Sequence, residues 1–171
     1  MGQAVVEELR QLRAIPPMGT ALESCFRIQG TGEPLSSPPL HDVPEIERFR
    51  TVESDPSQEA AVLMARQAPG LLVEGPPGTG KSQTIVNIIS DTIGREKSLL
   101  LVCQKQAALE VVHKRLVAKG LRNRLIMVTD VNKDRRQIIE SIREQLEELR
   151  RPAVRNERWR SERTKAATRL E

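Results

Sequence analysis

The segment that most constrains the fold of this chain is a glycine-rich octapeptide, Gly75-Pro76-Pro77-Gly78-Thr79-Gly80-Lys81-Ser82. It satisfies the pattern G-x-x-x-x-G-K-[ST], in which a strand, a tight turn and a helix N-terminus together form a cradle for phosphate. The flanking sequence suits that context, because residues 71–74 read as a buried strand and residues 83–93 as a helix. We therefore predict that the chain binds a nucleoside triphosphate. The alternative is a chance turn rich in glycine and proline.

Each residue type in the octapeptide suits phosphate binding. Glycines at 75, 78 and 80 let the backbone bend tightly and leave N–H groups free to converge on phosphate oxygens. Lys81 supplies a positive charge for the β- and γ-phosphates, and Ser82 supplies a hydroxyl for Mg²⁺. We predict catalytic roles for Lys81 and Ser82, with Ser82 as the magnesium ligand. The predicted nucleotide contacts in and after the loop are Gly75, Pro76, Pro77, Gly78, Thr79, Gly80, Lys81, Ser82 and Gln83.

The composition indicates a soluble protein with an aliphatic core. The 171 residues suffice for a core, and they include two Phe, one Trp and no Tyr. The sequence has no apolar stretch of the roughly 18 residues that a transmembrane helix needs. The N-terminus also lacks the basic and apolar regions of a signal peptide. We therefore expect a cytoplasmic protein with no membrane partner.

The net charge of +4 is concentrated in the last part of the chain. Residues 1–132 carry 15 basic and 15 acidic side chains, whereas residues 133–171 carry 12 and 8. Such a basic segment is suited to nucleic acid phosphates. The alternative is a solvated helix with many salt bridges, since mixed charges are ordinary on an exposed helix.

The apolar pattern before residue 133 alternates between helices and strands. Helices are predicted over residues 4–15, 58–67, 83–93 and 107–119. The second of these starts at Asp55-Pro56-Ser57, and Gly120 closes the last. Strands are predicted over residues 71–74, 98–103 and 125–128, with a possible short strand at 24–29 in an otherwise irregular connector. The order β-α-β-α-β favours an α/β fold with a parallel sheet.

From residue 133 onward the pattern becomes helical. One long amphipathic helix is predicted up to residue 151, where Pro152 breaks it. A second helical stretch follows at 154–170, and its few apolar side chains mean that it needs a partner or projects into solvent. The apolar face of the first helix consists of Ile138, Ile139, Ile142, Leu146 and Leu149.

Three segments together resemble superfamily 1 DNA/RNA helicases. The subgroup that they resemble is the AAA_11-type one that includes nonsense-mediated-decay and Okazaki-fragment-processing helicases. Residues 55–62 (DPSQEAAV) are similar to the helicase Q motif, residues 73–85 (VEGPPGTGKSQTI) to motif I, and residues 100–112 (LLVCQKQAALEVV) to motif Ia. The resemblance covers about residues 53–128.

The resemblance implies a role for each matching position. Gln58 would read the adenine edge, so that the nucleotide is ATP, held with magnesium by the loop that contains Lys81 and Ser82. The alternative for Gln58 is an ordinary polar residue in the first turn of a helix. Motif Ia in the family faces single-stranded DNA or RNA, whereas the plain alternative here is a polar strand-to-helix turn. The candidate nucleic acid contacts are Gln104, Lys105 and Gln106.

Two parts that the family needs for ATP hydrolysis are not identifiable. These are an acidic Walker B pair at the end of a later strand and arginines from a second lobe. Residues 125–130 imitate the Walker B strand, but Asp130 is followed by Val131. We interpret Asp130 as a strand-end or helix-capping residue, with magnesium binding as the alternative. The expected partners therefore include the remainder of a helicase motor or a partner chain.

Together these patterns predict a P-loop NTPase (RecA-like) fold with an incomplete parallel sheet, followed by long α-helices. Residues 1–52 would form an N-terminal helix and connector, 53–132 the RecA-like subdomain, and 133–171 a helical extension or inserted subdomain. The leading hypothesis is an ATP-binding N-terminal fragment of an ATP-dependent helicase that is inactive alone. One alternative is an AAA+ type ATPase fragment. Another is a stand-alone nucleotide-responsive module whose C-terminal helices engage a partner chain or nucleic acid. In it Trp159 stacks on a base, or else serves as a packing anchor between helices.

Overall fold

The computed structural model describes residues 3–15, 43–68, 70–130, 133–150 and 157–169. Two short 3-10 helices, Glu45–Glu47 and Arg122–Arg124, accompany six α-helices within these residues. The α-helices are α1 (Gln3–Ala14), α2 (Pro56–Gln67), α3 (Lys81–Gly94), α4 (Gln106–Ala118), α5 (Arg135–Arg150) and α6 (Glu157–Thr168). The possible strand at 24–29 lies outside the described residues.

The helices predicted from apolar spacing are confirmed, and local signals explain their ends. Asp55 caps α2, because its side chain accepts a hydrogen bond from the backbone N–H of Gln58 at 2.9 Å. Pro56 occupies the first turn, where its missing N–H costs nothing. Gly120 follows α4 with a φ of +78°, the left-handed conformation that glycine adopts freely.

The predicted parallel sheet is not confirmed, since no strand is present among the described residues. Residues 71–74, 98–103 and 125–128 have no regular secondary structure. No backbone hydrogen bond joins any two of these segments, so the ladder that defines a strand is missing. Their apolar side chains are largely exposed, at 81% for Leu72, 86% for Leu100 and 79% for Val102. The three segments therefore resemble strands in sequence, but none of them pairs with another segment among the described residues.

The hydrophobic core lies where α3 packs against α4. Val86 and Ile89 of α3 meet Val112 and Leu116 of α4 there. Partly buried aliphatic side chains from the flanking segments surround this cluster, among them Leu101. The core therefore anchors the helix that begins at the glycine-rich loop.

The segment before α2 is fixed to α3 by a buried amide. Asn87 accepts hydrogen bonds from the backbone N–H groups of Thr51 at 3.1 Å and Val52 at 3.2 Å. Its own amide donates to the carbonyl of Val52 at 3.1 Å. These three bonds connect the α3 helix to the chain segment that leads into Asp55 and α2.

A buried ion pair connects α2 to α3. The guanidinium of Arg66 donates to both carboxylate oxygens of Asp91, at 2.9 and 2.6 Å. It also donates to the carbonyl of Glu47 at 3.0 Å, so the short 3-10 helix joins the same contact. Such a bidentate ion pair fixes the relative position of the two helices and also neutralises a buried charge.

The two C-terminal helices contact different parts of the body. On α5, Gln145 donates to the carbonyl of Leu125 at 3.2 Å. On α6, Arg163 lies 4.6 Å from the ring centre of Phe49 and donates to the carbonyl of Ile46 at 2.8 Å. The last helix therefore returns to the segment that precedes α2. Across the described part of the chain, none of the helices is both long and apolar enough to cross a membrane.

Candidate nucleotide-binding site

The glycine-rich loop leads directly into the N-terminus of α3. Gly78 and Gly80 have φ values of +89° and +77°, a conformation that favours glycine. Gly80 is the N-cap of α3, which begins at Lys81. A side chain at Gly80 would collide with the amide nitrogen of Gln58 and approach the side-chain oxygen of Gln83 within 2.8 Å. The backbone angle therefore favours glycine at this position, whereas the ends of the flexible Gln58 and Gln83 side chains could shift to relieve the contact.

The loop presents hydrogen-bond donors that the protein itself does not use. Helix N-termini carry such unpaired N–H groups and a partial positive charge, and these attract anions. The first turn of α3 contains no acidic residue that would compete with an anion. Four backbone N–H groups donate to no acceptor within the described residues, namely those of Gly78, Gly80, Lys81 and Ser82. The loop therefore fits a phosphate group.

Lys81 brings a positive charge to the same loop. Its ammonium donates to the carbonyl oxygens of Gly75 and Pro76, the latter at 2.8 Å. The Thr79 hydroxyl also donates to the Pro76 carbonyl at 2.8 Å, which closes the turn. The Ser82 side chain is exposed and forms no hydrogen bond with a described residue, so its hydroxyl is accessible to a ligand. The charge and the hydroxyl thus lie at adjacent positions of the first helical turn.

Gln58 is brought to the loop by the first turn of α2. Its side-chain amide donates to the carbonyl of Thr79 at 3.1 Å. The side-chain oxygen is buried and has no hydrogen-bond partner among the described residues. A buried acceptor without a donor is costly, and because solvent does not reach this oxygen, a ligand would contact it only after the side chain rotates. The structure therefore joins Gln58, Thr79 and Gly80 in one site.

The motif Ia residues are not linked to this site by any contact within the described residues. Gln104 and Lys105 form an exposed bend, and Gln106 is the first residue of α4. The amide of Gln106 donates to the carboxylate of Glu110 one turn later, at 2.9 Å. All three side chains are exposed, so they form a polar surface at the start of α4.

Asp130 lies in a capping turn before α5. Its carboxylate accepts a hydrogen bond from the backbone N–H of Lys133 at 3.2 Å. Asp134, the residue before α5, accepts from the Thr129 hydroxyl at 2.6 Å and from the N–H groups of Thr129 and Asp130 at 2.8 Å. These hydrogen bonds, led by that of the Thr129 hydroxyl, hold the pKa of Asp134 below its ordinary value. Among the described residues no group of three His, Cys, Asp or Glu side chains is placed to hold a metal ion.

Two contacts that support the site were not predicted from the sequence. Asn87 and the Arg66–Asp91 pair together fix α2, which carries Gln58, against α3, which carries Lys81. No sequence signal pointed to Asn87, because it shares a polar row of α3 with Thr84, Ser90 and Asp91, a pattern typical of a solvent-facing side, although the structure buries all four. A polar residue in such a position usually has a specific hydrogen-bonding partner.

Comparisons with known proteins agree on one family. The family model AAA_11, described as an AAA domain, matches residues 53–169. An uncharacterized ATP-dependent helicase of Mycoplasma genitalium is 54% identical over 46 residues, which are 27% of this chain and 4% of that protein. Its homologue in Mycoplasma pneumoniae is 52% identical over 46 residues, with the same coverage of both chains. The matched segment is thus a small part of each relative. No solved structure matches the chain.

Proposed function

The chain belongs to the AAA_11 family of AAA domains, and on that basis we propose that it is the ATP-binding N-terminal part of a superfamily 1 DNA/RNA helicase motor. The observation that carries this proposal is the set of unpaired N–H donors at the start of α3, beside the ammonium of Lys81. The names of the two Mycoplasma relatives, both ATP-dependent helicases, support the choice of ATP and of helicase.

Different residues of the loop would bind different parts of ATP–Mg²⁺. The backbone N–H groups of residue 78 and of residues 80–82 would bind the phosphate oxygens, and Lys81 would neutralise their charge. Ser82 would hold Mg²⁺ through its hydroxyl, and the ion supplies further neutralisation of the phosphates. Gly75 and the two prolines shape the turn, while Gln83 lies beside Gly80 at the entrance of the helix.

Gln58 would read the adenine base. Once a rotation of the side chain exposes it, the side-chain oxygen can accept a hydrogen bond from the exocyclic amino group of adenine, which is a donor. Guanine carries a carbonyl oxygen at the corresponding position, and two acceptors repel each other. The same amide also contacts the loop through Thr79, so base recognition and loop position are coupled.

The finer features of the fold are part of the proposal. We propose that residues 71–74, 98–103 and 125–128 are strands of a RecA-like parallel sheet when the motor is complete. Their exposed apolar side chains support this, because a parallel sheet is covered on both faces. We also propose that the chain is divided into three parts, residues 1–52, 53–132 and 133–171.

The proposed partners are a single strand of DNA or RNA and the remainder of the helicase motor. The exposed bend that contains Gln104, Lys105 and Gln106 is the proposed contact with the strand. Its polar side chains and the one lysine are chemically suited to a phosphate backbone. The remainder of the motor would supply the acidic pair and the arginines that ATP hydrolysis needs.

The experiment compares ATP binding, ATP turnover and strand unwinding in the same isolated chain. We expect ATP–Mg²⁺ to bind, turnover to stay at the uncatalysed background, and an added single-stranded oligonucleotide to leave the turnover unchanged. The physical reason is that the loop of this chain would hold the nucleotide, whereas the groups that activate water would come from the remainder of the motor. Robust unwinding of a duplex by this chain alone would overturn the proposal, as would the absence of ATP binding.

A further inference from the structure

Within the part of the chain that the structure describes, helix α5 contacts the body of the protein along one edge only. Gln145 donates to the carbonyl of Leu125 at 3.2 Å, and Asn123 donates to the carboxylate of Glu148 at 2.7 Å. Ile138 and Ser141, which are half-buried, lie on the same side of the helix. Helix α5 is 16 residues long, and most of its surface therefore faces away from the body.

Beside this edge runs a stripe of exposed aliphatic side chains. Ile139, Ile142 and Leu146 are 49%, 39% and 53% exposed. They are spaced three and then four residues apart, so a rotation of about 100° per residue places them along one line of the helix. A stripe with this spacing is the surface on which a second helix packs. Uncovered, it would be an unfavourable surface in water.

A ridge of arginines borders the stripe on the side away from the body. Arg136, Arg143 and Arg150 follow one another at intervals of seven residues, and all three are exposed. The same rotation places them next to the line of Ile139 and Leu146. None of the three arginines forms an ion pair or hydrogen bond with another described residue. Their guanidinium groups are therefore open to a partner, while Glu140 and Glu147, four residues after Arg136 and Arg143, border the ridge on its other side.

We propose that this surface of α5 docks an amphipathic helix of a partner, one whose apolar stripe is bordered by Glu or Asp. Such a helix would cover the aliphatic stripe and at the same time pair with the arginine ridge. Flanking charges of opposite sign are what select partner and orientation in helix pairs. The proposal does not depend on nucleotide binding, since it rests on α5 alone.

Two other occupants fit the surface less well. In an antiparallel pair of two copies, each arginine ridge would face the other, and a parallel pair would bring the second copy against the edge that Gln145 holds to the body. A nucleic acid strand would pair with the arginines but leave Ile139, Ile142 and Leu146 uncovered. An acidic amphipathic helix alone satisfies both features.

The test uses two designed helical peptides of about three heptads. Both carry leucine at the stripe positions, and their flanking positions are all glutamate in one peptide and all lysine in the other. Fluorescence anisotropy with the full chain measures their affinities. We expect the glutamate peptide to bind at least about tenfold more tightly than the lysine peptide, with a preference that weakens as salt screens the charges.

Three variants sharpen the test. The triple reversal Arg136→Glu, Arg143→Glu and Arg150→Glu should exchange the peptide preference. A matched triple reversal at Lys114 and Arg115 of α4 and at Lys119 directly after it changes the total charge equally and should leave the preference unchanged. Ile142→Asp should weaken the binding of the glutamate peptide, and circular dichroism checks that each variant stays helical.

Several results would overturn the docking proposal. One is binding of neither peptide, or binding of both with equal affinity. Another is concentration-dependent dimerisation of the chain that Ile142→Asp abolishes, which would assign the stripe to a second copy. A third is tight binding of a single-stranded oligonucleotide that the α5 triple reversal abolishes and Ile142→Asp leaves unchanged, which would assign the ridge to nucleic acid.

Discussion

At the scale of single residues, Gln58 connects two parts of the site that are distant in sequence. Its position in the first turn of α2 follows from the Asp55 cap and from Pro56. Its contact with the carbonyl of Thr79 spans 21 residues of chain. The buried, unpartnered oxygen of the same side chain is the feature that suggests selection among nucleotide bases.

Replacing Gln58 should reduce the preference for ATP over GTP. In Gln58→Ala the acceptor for the adenine amino group is lost, and we expect the ratio of the ATP and GTP affinities to fall by about threefold to tenfold, the worth of one hydrogen bond. Titration calorimetry with both nucleotides measures the ratio. Gln67→Ala, at the other end of α2, is the control. An unchanged ratio in Gln58→Ala would restrict Gln58 to a structural role.

Asp134 should make stability depend on acidic pH. The pKa of Asp134 lies below its ordinary value of 3.8, chiefly because the Thr129 hydroxyl donates to the carboxylate. A carboxyl whose pKa is lower in the folded than in the unfolded state stabilises the fold above the unfolded value, and this stabilisation disappears as the pH falls through the folded value.

The comparison of wild type with Asp134→Asn tests this dependence. Asparagine keeps the shape and an acceptor oxygen but does not titrate. In urea unfolding at a series of pH values, the wild-type midpoint should fall more steeply than that of the variant as the pH drops below about 3.8. Parallel profiles of the two proteins would contradict the assignment.

At the scale of elements, the helices predicted from the sequence are confirmed, whereas the predicted sheet is not confirmed among the described residues. Apolar spacing and end signals such as Asp55-Pro56 and Gly120 act within one helix, so the sequence is enough to place α2 and α4. A strand instead depends on partners from distant segments, and residues 71–74 have none among the described residues. The loop was predictable for the same local reason, whereas the bonds of Asn87 across 35 and 36 residues were not.

The Arg66–Asp91 pair should control the packing of α2 on α3. The two side chains are only 12% and 6% exposed. Arg66→Met leaves a buried carboxylate without its main partner, and we expect the free energy of unfolding to fall by about 3–5 kcal/mol. Chemical denaturation measures the change. The double variant Arg66→Met, Asp91→Leu should recover much of the loss, because it removes the buried charge as well.

An exposed ion pair on α1 provides the control for this prediction. Arg10 and Glu7 lie 3.6 Å apart with side chains 72% and 62% exposed. Water and salt screen such a pair, so Arg10→Met should change the unfolding free energy by less than about 1 kcal/mol. Equal effects of Arg66→Met and Arg10→Met would show that burial does not decide the strength of these pairs.

At the scale of the whole molecule, the described helices arrange one candidate nucleotide site and leave other surfaces uncovered. The core between α3 and α4 supports the loop, and α2 brings Gln58 to it. Segments 71–74 and 98–103 expose apolar side chains, as does α5. Such surfaces are what a chain presents when further protein packs against it. The proposal of one part of a larger motor accounts for both features.

The most direct test of the nucleotide site is the affinity for ATP–Mg²⁺ of three forms of the chain, measured by isothermal titration calorimetry. Lys81→Ala removes the ammonium at the loop, while Lys114→Ala removes an equal charge from an exposed position on α4. We expect Lys81→Ala to weaken ATP binding at least about tenfold, as for the loss of a charged hydrogen bond, and Lys114→Ala to leave it unchanged. Equal affinities for Lys81→Ala and the wild type would contradict the assignment of this loop as the ATP site.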